Sequence, residues 1–166
     1  MKHRLFPALA AALGLLSACA AQPEAPEPLP ESTAPPDLTI IAGEERCTAL
    51  RGGWSWTVRV GEDQYSGTIA DSAHPLDYQD LTPSLSTTEP DVTLSFPVEP
   101  DTLTAQCWPE RAWGNMDVQS EAVTVEESLL TLKPGGYLYE VCAAWDAMPE
   151  YEGECRYSFF VRLEGG

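Results

Sequence analysis

Tyr137-Leu138-Tyr139-Glu140-Val141-Cys142-Ala143-Ala144-Trp145 is the longest alternating run in the chain. Its odd positions are all apolar, and a period of two puts them on one face of a β-strand. The same alternation recurs on either side. Trp54, Trp56, Val58 and Val60 alternate with Ser55, Thr57 and Arg59, and Tyr65 to Ala70 follow a Gly61-Glu62-Asp63 turn. Val92, Leu94 and Phe96 form a further run, as do Leu103, Ala105 and Cys107. Val123 and Val125 come next, then Leu130 and Leu132, and Tyr157, Phe159, Val161 and Leu163 close the chain. Pro, Gly, Asp and Asn separate these runs, and none has sustained helical periodicity. The expectation is an all-β domain over residues 38–166, an antiparallel β-sandwich of about eight strands.

Leu132-Lys133-Pro134-Gly135-Gly136-Tyr137 leads into that longest strand. It resembles the tyrosine corner of immunoglobulin-like and fibronectin type III domains, in which a Tyr at a strand start bonds back to upstream backbone. The resemblance implies an immunoglobulin-like sandwich and assigns the corner to Tyr137. No Cys stands two residues after Tyr137, and the Cys–Trp–Cys spacing of antibody domains is absent. The domain also resembles uncharacterised extracytoplasmic domains of bacterial lipoproteins, a likeness that brings no activity with it.

The N-terminus has Lys2 and Arg4, an apolar run from Leu5 to Leu16, and then Leu16-Ser17-Ala18-Cys19. This resembles the lipobox signal of bacterial lipoproteins. It implies cleavage after residue 18, diacylglyceryl attachment to Cys19 and a lipid-anchored position on the extracytoplasmic face of a cell membrane. The apolar run is about a dozen residues, where a helical span needs roughly 20. Ordinary signal cleavage is the competing reading, since Ala18-Cys19-Ala20 also fits a small-x-small site. Residues 22–37 read QPEAPEPLPESTAPPD, with six prolines and four acids. Such a segment cannot form a core, and polyproline geometry would extend it to roughly 50 Å. Residues 19–37 are thus expected to be a lipidated Cys and a stalk.

Once Cys19 is set aside, Cys47, Cys107, Cys142 and Cys155 remain, an even number suited to an oxidising compartment. A hairpin folded near Met148-Pro149 brings Cys142 and Cys155 near each other, which leaves Cys47 with Cys107. Each bridge would contribute about 2–4 kcal/mol.

Of the chain's 26 acids, four belong to the stalk, leaving 22 in the domain against seven Arg and Lys, a net charge of −15. Lys133 is the domain's only lysine. Nucleic acid is excluded as a partner, because phosphate binding rests on Lys and Arg. No catalytic residue stands out. His74 is the only His beyond the signal, and no activated Ser or Gly-x-Ser-x-Gly accompanies it. A phosphate loop, a zinc-ligand spacing and a calcium loop are likewise missing, so no metal or cofactor is expected. The acids Glu150, Glu152 and Glu154, and Asp71, Asp77 and Asp80, read as solvated loops. Trp108 and Trp113, flanking a short polar connection, are the candidate contact residues. The expectation is a non-enzymatic binding module for an unidentified protein partner. The alternatives are a glycan-binding module using those tryptophans and an immunoglobulin-like proteinase inhibitor.

Overall fold

The computed structural model describes residues 33–165. The signal segment, Cys19 and the stalk through residue 32 lie outside the described residues, as does Gly166. The chain forms twelve strands: β1 (Thr39–Ala42), β2 (Glu45–Thr48), β3 (Leu50–Gly61), β4 (Gln64–Ala70), β5 (Ser84–Thr87), β6 (Asp91–Ser95), β7 (Thr102–Pro109), β8 (Glu121–Val123), β9 (Val125–Glu126), β10 (Leu129–Thr131), β11 (Gly135–Ala147) and β12 (Tyr151–Leu163). They make two sheets, one ordered β2-β1-β6-β10-β9 and the other β4-β3-β12-β11-β7-β8. The fold is the expected all-β sandwich. Strands exceed the expected eight because β1, β2 and β5, of four residues each, carry no clear alternation, and the expected Val123–Val125 run is two strands, β8 and β9. All pairs are antiparallel except β5, which runs parallel to β12 along Phe160–Leu163, beyond the stretch where β3 pairs.

Alternation explains how the sheets stack. Tyr139, Val141, Ala143 and Trp145 of β11 are buried, as are Cys155, Tyr157, Phe159 and Val161 of β12. They meet Ile40, Val92, Leu94 and Leu130 from the smaller sheet in one core. Aromatic edges link the interior: Trp56 meets Trp145 with centroids 5.4 Å apart, Trp145 meets Phe96 at 5.6 Å, and Phe96 meets Tyr157 at 5.6 Å. Gly153 stands opposite both Trp56 and Trp145 in the strand register. A Cβ there would lie 2.3 Å from the Ser55 carbonyl oxygen and 2.6 Å from the Trp56 ring. Only glycine lets the two indoles close over the strand.

A tyrosine corner is present, but at Tyr139 rather than Tyr137. The Lys133 N–H donates to the Tyr139 hydroxyl at 2.8 Å, while Tyr137 packs against Lys133 and Tyr139. Gly135, at φ +98°, takes the chain round into β11. Both tyrosines share the inward phase, but Tyr139 is fully buried beneath the turn whereas Tyr137 is half-buried.

The four cysteines are free thiols, a correction to both expected bridges. The hairpin does turn at Met148-Pro149, but Cys142 pairs with Arg156 and Cys155 with Ala143. That single step of register puts the two sulfurs on opposite faces of the sheet, where no bridge can close. Cys107 is fully buried and Cys47 half-buried against the same core, and neither is bridged.

Residues 36–38 dock onto the domain. Tyr157 Oη donates to the Pro36 carbonyl at 2.5 Å, Asp37 pairs with Arg51 at 2.5 Å, and Leu38 is fully buried.

Candidate functional site

The outer face of the larger sheet is built in two parts. At one end, Trp108 and Phe160 flank Leu138 in register and carry a second apolar cluster. Leu76 and Ala112, each from a 3-10 turn, cover it. Trp108 is 3 % exposed and its indole N–H donates to the Val118 carbonyl at 3.1 Å. It is a core residue of this cap and presents no stacking surface, which corrects its reading as a contact residue. Trp113 is half-buried against Phe160, with centroids 6.2 Å apart. His74 serves the same cap: its Nδ1 accepts the Leu76 N–H at 3.2 Å and its ring meets Trp108 edge-on at 5.3 Å.

Beyond the cap the same face turns polar. The outward phase of β11 brings up Glu140 and Cys142, β7 supplies Thr104 and Gln106, and β12 supplies Arg156. With Ser120, Ala105 and Ala122 they line an open trough of about 540 Å³. Its floor is a hydrogen-bonded chain. Ser120 Oγ donates to Gln106 Oε1 at 2.7 Å, and Gln106 Nε2 donates to Glu140 Oε2 at 2.7 Å. Glu140 is 7 % exposed, and its Oε1 has no protein partner among the described residues. With Oε2 bonded to Gln106, Oε1 is an acceptor held in position and open to the trough.

Arg156 is exposed and forms no ion pair among the described residues, unlike Arg51, Lys133 and Arg162, which pair with Asp37, Glu121 and Glu110. The Cys142 thiol sits among the charges. Burial raises its pKa, Glu154 and Glu140 raise it further, and Arg156 opposes them. A protonated thiol of this kind is a weak nucleophile, so the trough has binding groups without an activated attacking group. Neighbouring hollows continue the surface past Glu154 and Arg156 toward Ser55 and Ile69, and past Ala144 toward Asp146 and Glu152.

Glu140, Gln106, Ser120 and Arg156 are the site residues that periodicity did not single out. The available signal was Glu140 between Leu138 and Cys142 in the outward phase of β11, and Arg156 in that of β12, where Glu152, Glu154 and Arg162 share the phase. No grouping of His, Cys, Asp and Glu suited to a metal ion occurs among the described residues. No family model, curated protein or solved structure matches the chain.

Proposed function

We propose that this protein is a lipid-anchored, extracytoplasmic binding module, tethered through Cys19 and a proline-rich stalk, that recognises a protein partner on the outer face of its larger sheet. The observation that carries the binding reading is the ordered Ser120–Gln106–Glu140 chain, which opens one carboxylate oxygen to a solvent-filled trough. Pre-positioned polar groups in a concave surface reduce the ordering cost of binding. The tether reading rests on Leu16-Ser17-Ala18-Cys19 and on the six prolines that follow. Two or three acyl chains would hold the protein at the membrane firmly. The immunoglobulin-like assignment is supported by the Tyr139 corner. The module acts without cofactor or catalysis.

Two experiments test this. Labelled palmitate is incorporated by the full chain and lost in Cys19→Ala. Cross-linking in the native cells then recovers one partner near stoichiometry, and Arg156→Ala removes it. Retention of that partner by Arg156→Ala would take the recognition surface away from the trough. Recovery of polysaccharide alone, lost on Trp113→Ala, would favour the glycan alternative, to which the half-buried Trp113 ring remains available.

A further inference from the structure

We infer that the trough takes a zwitterionic group, an ammonium on Glu140 and a carboxylate on Arg156, as found together in an α-amino acid. This rests on the reading of the trough as the recognition surface. Glu140, a residue only 7 % exposed and fixed by Gln106, offers Oε1, and Arg156 offers a guanidinium free of any ion pair among the described residues. The two lie on adjacent strands, one pleat apart on the same face, since Glu140 stands opposite Ser158 and Cys142 opposite Arg156. They line one cavity yet do not bridge.

Each simpler ligand class meets an obstacle. A pure anion would approach a domain of 22 acids and seven cations, and would meet the Glu140 and Glu154 carboxylates beside Arg156. A pure cation would be repelled by Arg156 inside the same trough. A sugar ring finds no aromatic platform among the lining residues. A group with both charges satisfies both ends, and charge-assisted hydrogen bonds make each end selective. Thr104, Ser120 and the remaining Gln106 N–H are left for a carbonyl or hydroxyl between the charges, with Ala105 and Ala122 as apolar walls. The volume suits anything from a free amino acid to a free dipeptide.

Cys142 supplies the reporter, because its thiol lines the trough while Cys47 lies on the other sheet. Full-length protein in detergent micelles is alkylated with N-ethylmaleimide, and modification of Cys142 is followed by peptide mass spectrometry with Cys47 as internal reference. Alanyl-alanine is expected to slow Cys142 alkylation at least about fivefold while Cys47 is unchanged. N-acetyl-alanyl-alanine and alanyl-alanine amide, each lacking one charge, are expected to protect at least about tenfold more weakly, the cost of one charge-assisted contact. Glu140→Gln and Arg156→Gln, each modest in shape change, should abolish protection while leaving unprotected Cys142 alkylation measurable. Protection by free alanine as well would indicate a free amino acid; protection by the dipeptide alone would indicate a free short peptide that carries both termini. Equal protection by all three dipeptides, or by none, overturns the assignment. Should protection fail while Arg156→Ala still loses the cross-linked partner, the trough stands as a recognition surface and only the zwitterion falls.

Discussion

Cys142 and Cys155 sit on neighbouring strands one register step apart, and their sulfurs point to opposite faces of the larger sheet. Cys155 is fully buried in the core, whereas Cys142 lines the outer trough. A thiol reagent added to the native protein will therefore modify Cys142 and Cys47, and will reach Cys107 and Cys155 only after unfolding. Mass mapping without reductant is the check: a Cys142–Cys155 linked peptide would contradict the observed register.

The Lys133 N–H is satisfied by Tyr139 alone among the described side chains. Tyr139→Phe removes that acceptor and leaves a part-buried donor at the entry to β11. It should cost about 1–2 kcal/mol in denaturant melts. Tyr137→Phe, which leaves the corner intact, should stay within about 0.5 kcal/mol. Equal losses would move the corner back to Tyr137.

Gly153 admits the Trp56–Trp145 contact by having no side chain. Because the nearest obstacle is the backbone oxygen of Ser55, rotamer changes cannot relieve the clash. Gly153→Ala should destabilise by about 1–3 kcal/mol or more, the range for an overpacked interior, and should alter the near-ultraviolet signal of the tryptophans. Gly114→Ala has open space around its Cβ, so its cost comes only from the positive φ of +73° and serves as a control.

Burial raises the pKa values of several acids that stay neutral in the fold. Cys155 is pushed up from 9.0 to about 12, and Tyr139 and Tyr157 are raised above their ordinary 10.0, in each case mainly by desolvation. Groups whose folded pKa exceeds the unfolded value contribute stability in full below the unfolded pKa and lose it as pH rises through the folded one. Thermal midpoints should hold steady up to about pH 9 and then fall as pH rises through the range set by these thiol and phenol groups. Cys155→Ala should reduce the early part of that fall, to which the raised thiols of Cys47, Cys107 and Cys142 also contribute. A midpoint flat to pH 11 would contradict the burial of these groups.

The strand pattern was legible because burial on one face forces period-two alternation into each long strand, as in Tyr139–Trp145 and Tyr157–Leu163. Short strands escaped for the same reason: Glu45–Thr48 and Ser84–Thr87 are too brief for a period to show. Tyr137 and Tyr139 are equivalent in alternation, both in the inward phase. What separates them is tertiary: Tyr139 is fully buried and accepts the Lys133 N–H, while Tyr137 is half-buried.

From the sequence alone came the all-β class, the hairpins at Glu62-Asp63 and Met148-Pro149, a strongly acidic composition, and the expected signal and stalk. These depend on local periodicity, turn chemistry and composition. The tertiary structure decided which thiols face each other, which tryptophan is buried, and that Gln106, Ser120, Glu140 and Arg156 share one trough. Gln106 and Glu140 are 34 residues apart, and nothing within either segment encodes their meeting. Their contact follows from the register between β7 and β11, which the packing of the opposite face fixes: a one-residue slip would expose Tyr139, Val141 and Cys107 to water and disperse the trough at once.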